Sequence, residues 1–400
     1  MEIKGLDKLK ELDVTKVKDW IKTKLHKPTA TNLQQVKGIN LSKAMDWFKA
    51  RFQKTSSLIG VDVGTASIKF LELSQIGDSY QVENYAITPL PLGAVIEQDI
   101  KEPANVTKAI HESLIKTSFK TRNAAISVPD SSVITKIIQL DATLRSGDIE
   151  SQILLEADKH IPYPVEEVSL DFQVLGVNPK NHEWVDVLLV ASHKDNVDAR
   201  VAAIAEGGVH PMVVDVESYA IERVGAVLLK QLPGQGLGQT VAIVDIGANV
   251  LTLTVLHDRE TIFTRSEIFG GMQLTRTVEQ RYSLSYPDAE LAKQQGKLPD
   301  DYTTEILEPF KEAVILQIRR ALQFFFSTSQ HAEIQFIILA GGTALIPGIT
   351  TLVTERMGTN TTLANPFAQM SVANKIDAAE LKKIAPCFVL SCGLALRGFG

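Results

Sequence analysis

Apolar positions follow two different periods along this chain, and the change between them falls near residue 57. Leu6, Leu9, Val14, Val17, Ile21 and Leu25 recur at mostly three- and four-residue steps, as do Leu41, Met45, Phe48 and Phe52. That spacing puts each set on one helical face and predicts two short amphipathic helices, with a break at Pro28, Thr29, Thr31, Asn32 and Gly38. Beyond 57, short apolar runs bounded by turn residues predict strands at 57–63, 68–73, 80–87, 124–128, 133–140, 170–177, 186–192 and 211–216. Helical spacing at 104–117, 147–160, 195–205 and 218–229 alternates with them, the pattern of an α/β protein. A Gly- and Gln-rich joint at 231–239 then precedes a strand, whereas a dinucleotide fingerprint would follow one, so it is read as a connection between halves.

Composition narrows the class. Of 400 residues, 44% are apolar and 22% charged, which excludes a disordered or fibrous chain. A net charge of -6 argues against a protein that coats nucleic acid. The charge is uneven: residues 1–57 hold 13 Lys and Arg against 6 Asp and Glu, leaving 28 against 41 for the rest. A basic amphipathic segment suits an anionic membrane surface or a partner, or else is a loosely ordered appendage. No apolar run reaches the ~18 residues of a membrane span, and the N-terminus lacks a secretory h-region, so a cytoplasmic protein is expected. Cys387 and Cys392 have neither disulfide nor zinc spacing and are expected to be buried thiols. The eight histidines show no metal spacing, and neither a nucleophile elbow nor a Walker loop occurs.

The strongest signal is an internal repeat. Residues 59–73 align without gaps on 242–256, matching Asp62 to Asp245 and Gly64 to Gly247, and 80–87 continues the match against 263–270. Each half therefore opens with three antiparallel strands, an Asp ending the first and a Gly in the turn. Such a turn lets backbone amides approach phosphate oxygens, and each Asp can hold Mg²⁺ through water. A third element, the apolar strand 336–340 running into Gly341, Gly342 and Thr343 and then a helix, provides a flat seat for a nucleoside.

In that order, Asp62/Gly64, Asp245/Gly247 and Gly341/Gly342 resemble the two phosphate motifs and the adenosine motif of the actin-like ATPase superfamily. Residues 58–73, 156–164, 263–265 with Gly270 and Gly271, and 338–342 further resemble the PilM family of type IV pilus assembly, related to FtsA. The resemblance implies a duplicated, ribonuclease H-like two-lobe fold with an FtsA-type inserted subdomain. On that pattern 1–57 is an extension. Residues 58–129, 212–230 and 384–400 form the first lobe, and 130–211 the insert. Residues 240–275 and 335–383 form the second lobe, and 276–334 a helical subdomain.

The resemblance also implies ATP and Mg²⁺ in a cleft between the lobes. Gly64, Thr65, Ala66, Ser67 and Lys69 would face the β and γ phosphates. Gly247, Ala248 and Asn249 would form the opposing loop, with Gly270 and Gly271 beside it, and Asp62 and Asp245 would hold the metal. Glu290 and Lys293 resemble a nucleoside-contacting pair. Asp215 or Glu217 would orient water for hydrolysis, but Val250 and Leu251 stand where related enzymes carry hydroxyls, so at most a slow ATPase is expected. The implied partner is the cytoplasmic N-terminal peptide of a PilN-like inner-membrane protein, bound in a groove lined by Ile161, Pro162, Tyr163 and Pro164. Two alternatives stay open: an FtsA-like membrane-tethered polymer, or a small-molecule kinase or phosphatase of the same superfamily.

Overall fold

The computed structural model describes residues 57–144 and 146–399. The two amphipathic helices expected over 1–57 lie outside the described residues, Ser57 excepted.

Three strands, β1 (Ile59–Val63), β2 (Ser67–Ile76) and β3 (Ser79–Pro89), run antiparallel in sequence order. A hairpin of β4 (Val95–Ile96) and β5 (Asp99–Ile100) follows, and helix Pro103–Lys116 then carries the chain to β6 (Asn123–Val128), which lies parallel to β1. Sheet one alternates between two buried faces. Ile59, Val61, Ile68 and Phe70 pack under helices Pro103–Lys116 and Lys194–Glu206, while Leu71 and Leu73 turn to the other side. Burial on both sides explains why apolar residues occupy both parities of β2, Ile68 and Phe70 on one face and Leu71 and Leu73 on the other.

From β6 the chain leaves the sheet. β7 (Val133–Asp141), β8 (Val168–Val177) and β9 (Trp184–His193) form a separate antiparallel sheet in the order β7-β9-β8. Helix Ser146–His160 closes its core, with Ile153 and Ala157 meeting Ile138, Val187 and Leu189. This inserted subdomain is narrower than the expected 130–211. Ala203 and Ile204 of helix Lys194–Glu206 belong to the first lobe's core, and β10 (His210–Val216) pairs with β6.

The second half repeats the first. β11 (Thr240–Ile246), β12 (Leu251–His257) and β13 (Glu260–Glu267) are antiparallel, and β14 (Phe336–Ala340) and β15 (Asn360–Leu363) add parallel strands. The order β13-β12-β11-β14-β15 reproduces β3-β2-β1-β6-β10, and β16 (Ser371–Val372) extends the first sheet beyond β3. One expectation shifts. The third strand starts at Glu260 and ends at Glu267, not 263–270, because β12 has 7 residues against 10 in β2 and turns at Asp258 and Arg259 in left-handed conformation. Gly270 therefore leaves the strand and stands at the head of helix Gly271–Tyr282.

Helices Glu217–Leu228 and Val389–Leu396 lie between the two sheets, with Leu71, Leu73 and Val82 from one and Val241, Ile243, Leu256 and Ile338 from the other in one core. Their crossing is close. A Cβ on Gly393 would sit 1.9 Å from the carbonyl oxygen of Ala220. Both lobes thus share one apolar floor, and the strand ends above it form the cleft.

Candidate functional site

The parity of the strands brings the site together. On β11, Val241 and Ile243 face the shared core, so Asp245 points to the same side; on β2, Leu71 and Leu73 do so, and with them Lys69. Asp62 and Lys69 are register partners across β1 and β2, and their side chains form a 2.9 Å ion pair with 11% and 17% exposure. Lys69 therefore turns inward. Burial acts to lower its pKa, but the attraction of Asp62 outweighs this and leaves it raised, with Asp245 and Cys387 contributing. Asp245 is pushed up to about 6 by burial and by the charge of Asp62, with Lys69 opposing. Residues headed by the two halves' first strands thus share one electrostatic field.

Three backbone turns converge there. Gly64 N–H donates to Ser67 carbonyl at 3.1 Å, and Gly247 N–H to Val250 carbonyl at 2.9 Å, giving the two halves matching tight turns. The amide of Gly271 donates to Gly247 carbonyl at 3.1 Å, Met272 N–H to Ala248 carbonyl at 2.7 Å, and Thr343 Oγ1 to Gly247 carbonyl at 2.9 Å. Gly341, at φ 84°, completes the contact: a Cβ there would lie 2.4 Å from Ile246 carbonyl oxygen and 2.5 Å from Asp245 Oδ1. Only glycine fits that conformation and approach. Asp62, Lys69, Asp245, Gly247, Ala248, Gly270, Gly271, Gly341 and Thr343 thereby form one locus. Thr65, Ala66, Ser67 and Asn249 complete the two turns with partial or full exposure, and Gly342 follows Gly341.

Glu290 and Lys293 lie one step away. Their ion pair is 2.9 Å long, and Thr275 of helix Gly271–Tyr282 donates to Glu290 at 2.7 Å. The same hydroxyl lies 3.2 Å from Gly271 carbonyl oxygen, which places the pair near the mouth of the cleft. The arrangement offers a buried cation, two carboxylates, a glycine cradle and a charged pair on its flank, a set that can grip a polyphosphate at one end and a polar ring at the other.

The residues named for water orientation separate. Both oxygens of Asp215 are engaged, Oδ2 by Arg223 at 3.0 Å and Oδ1 by the amide of Val216 at 2.9 Å. Glu217 Oε2 instead accepts from the side-chain amide of Gln98 at 3.0 Å. Its carboxyl is pushed up to about 8 by burial, with Arg200 opposing and Asp130, Asp62 and Asp245 adding. The partner-groove residues also divide: Ile161 is 5% exposed within the insert's core, whereas Tyr163 is 45% exposed, with Pro162 and Pro164 exposed on either side. Cys392 is buried as expected, but Cys387 is only partly so and lies beside the cleft, its thiol pushed up to about 11 by burial against the pull of Lys69. Nothing in its apolar sequence neighbourhood signals that position. Gln98 and Arg200, which contact Glu217 or its neighbours, likewise sit in no motif.

Two halves of one topology, each ending its first strand in an Asp beside a shared glycine step, define the actin-like class of ATPase folds. Among solved structures the chain is similar to a PilM-PilN type IV pilus biogenesis complex, with 25% identity over 86% of this chain and 99% of that one and a TM-score of 0.71. A family model described as Type IV pilus assembly protein PilM matches residues 60–399, and the chain belongs to that family. It is also similar to the ethanolamine utilization protein EutJ from Carboxydothermus hydrogenoformans, at 15% identity and a TM-score of 0.52 over 89% of this chain and 97% of that one. Cell division protein FtsA of Enterococcus hirae is 19% identical over 363 residues, 81% of each. Among the described residues no helix is long and apolar enough to cross a membrane.

Proposed function

We propose that this chain is a nucleotide-responsive adaptor of type IV pilus assembly at the cytoplasmic face of the inner membrane. It holds ATP with Mg²⁺ between its lobes and binds the cytoplasmic N-terminal peptide of a PilN-like membrane protein. The observation that carries the nucleotide half is the convergence of Asp62, Lys69, Asp245 and Gly341 from three turns on one crevice. The donor set fits the ligand: a buried ammonium for phosphate oxygens, two carboxylates for a hydrated divalent ion, and backbone in place of side chains at Gly341. Gly64, Thr65, Ala66 and Ser67 would take one side of the triphosphate, and Gly247, Ala248 and Asn249 the other. Gly270, Gly271, Gly342 and Thr343 would back the nucleoside, and Glu290 and Lys293 would meet its polar edge. Asp62 and Asp245 would hold Mg²⁺, which would neutralise phosphate charge when bound.

Hydrolysis is slow on this reading. Leu251 is fully buried and, like Val250, brings no hydroxyl to the second turn, and Glu217, rather than the ion-paired Asp215, is the residue in position to align water. The nucleotide then acts chiefly through its different affinity for two lobe arrangements.

For the peptide, the similarity to a PilM-PilN complex supports a partner of that kind. Pro162, Tyr163 and Pro164 offer an exposed rigid edge on the insert, and β10, the last strand of its sheet, adds exposed Met212 and Val214 at 63% and 37%. An extended peptide uses such an edge and pockets for alternate side chains. The test is calorimetric titration of the full chain with Mg·ATP, then with the cognate N-terminal peptide with and without ATP. Saturable binding of both is expected, the peptide with a Kd of about 1 μM or tighter, near -8 kcal/mol. No heat of binding with Mg·ATP at millimolar concentration would end the nucleotide reading.

A further inference from the structure

The tip of the β4–β5 hairpin is built against its own backbone preference. Glu97 and Gln98 stand at φ 50° and 67°, in the left-handed region, without being glycine. Two such residues cost roughly 1 kcal/mol or more each unless their surroundings hold them. Gln98 is held twice. Its side-chain amide donates to Glu217 Oε2 at 3.0 Å, and its carbonyl oxygen accepts a hydrogen bond from the guanidinium of Arg200.

Those two partners lie at a junction. Arg200 is 5% exposed on helix Lys194–Glu206, which starts at the residue after β9, the last strand of the insert. Ser218, next to Glu217, faces across a small cavity to Asp130, on the outgoing stem between β6 and β7. Asp130, Glu217, Ser218 and Asp245 line this cavity of about 30 Å³, with Thr252 and Thr254 of β12. That space accommodates about one water among polar groups. Both chain passages into the insert thus meet beside Glu217, which shares a cavity wall with Asp245 of the nucleotide cleft.

We infer that Gln98 is a positioning residue that ties Glu217, on the floor of the cleft, to the stem of the inserted subdomain, so that a ligand in the cleft alters the insert. The inference rests on the nucleotide reading above. A polyphosphate and its metal entering beside Asp62 and Asp245 change the field at Glu217 in a region shielded from water. The Gln98 amide carries both a donor and an acceptor, so it follows the carboxyl in either state, and the Arg200 contact passes the hairpin's position to the returning helix.

Gln98→Gly isolates this role. Glycine suits the left-handed backbone, retains the carbonyl that Arg200 needs, and deletes only the amide that reaches Glu217. Hydrogen exchange followed by mass spectrometry on the full chain, with and without Mg·ATP, reads the insert at 133–193, while calorimetry reads ATP affinity on the same samples. In the wild type Mg·ATP is expected to change exchange in 133–193. In Gln98→Gly, ATP affinity should stay within about threefold and the melting temperature should not fall, yet at least half of the insert's response should be lost. An equal response in the variant overturns the relay, as does a wild type that binds ATP with no change in the insert. A wild type that fails to bind Mg·ATP removes the nucleotide reading itself, and the calorimetric arm separates that outcome from the other two.

Discussion

Replacing Glu217 with Gln keeps the side chain's shape and removes one proton equilibrium, so it measures what that half-buried carboxyl contributes. In the folded chain the carboxyl is pushed up to about 8 from an ordinary 4.5, burial being the first cause. Between those two values the folded chain keeps a proton that the unfolded chain releases. Stability from this group is therefore fully present below about pH 4.5 and is lost as pH rises towards 8. The loss follows ~1.4 kcal/mol per pH unit in mid-window and tapers near the upper end, which gives about 2 kcal/mol between pH 6 and 8. With ~2.1 cal/mol/K of unfolding entropy per residue, that is about 3 °C in Tm for a chain of this size.

The comparison is made as a difference. Melting curves of wild type and Glu217→Gln at half-unit steps from pH 6 to 8.5 carry the same contributions from the groups the two chains share, which cancel. Asp245, pushed up to about 6 by burial and by Asp62, titrates mainly below the window. The expected result is a variant that gains on the wild type by about 3 °C as pH rises to 8 and by little more beyond it. Parallel curves would mean that Glu217 is ionised and solvated throughout, and would refute both a water-shielded cleft floor and its link to Gln98.

Three further outcomes follow from particular contacts. Asp62→Ala should strip nucleotide from the purified chain and also destabilise it by roughly 3 kcal/mol, because the Lys69 ammonium stays buried without its nearest partner; adding Lys69→Met should restore the melting temperature but not the nucleotide, measured by chromatography of the denatured protein. Gly393→Ala should cost about 2–3 kcal/mol in urea unfolding by forcing helices Glu217–Leu228 and Val389–Leu396 apart, and an unchanged midpoint would contradict the crossing. Tyr163→Ala should weaken peptide binding about tenfold at constant melting temperature, while Ile161→Ala should lower stability by about 2–4 kcal/mol through the insert's core, so calorimetry and thermal melts should move in opposite pairings.

What the chain discloses in advance is the part built from local rules repeated twice. The match of 59–73 to 242–256 needs only strand period and turn chemistry, and the two sheets carry it as β1–β2 and β11–β12 in the same order. Its limit is visible at the third strand, where a shorter β12 and a turn at Asp258 move β13 by three residues without any mark in the apolar pattern. Ile161 shows the same limit at a side chain: Pro162, Tyr163 and Pro164 stop the helix and stay exposed, but the residue before them is consumed by the insert's own core. The Gln98, Arg200 and Glu217 contacts join positions far apart in the chain through side-chain reach alone, and no period or motif encodes such a meeting.

The shared floor explains why these distant contacts can matter to a ligand. Leu71 and Leu73 from the first sheet and Val241 and Ile243 from the second pack on the same two helices, and the same strand faces carry Lys69 and Asp245 at their ends. A rotation of one lobe about that floor would change the distance between Lys69 and Asp245 before it breached the core, since close-packed side chains shift in small steps while charges at the rim move through the largest arc. The insert leaves and rejoins the first lobe beside Glu217, on that rim. On the proposed reading, a ligand that draws Asp62, Lys69 and Asp245 to one set of distances would select a lobe angle, and the contacts of Gln98 with Glu217 and Arg200 would carry that choice to the stem of the insert.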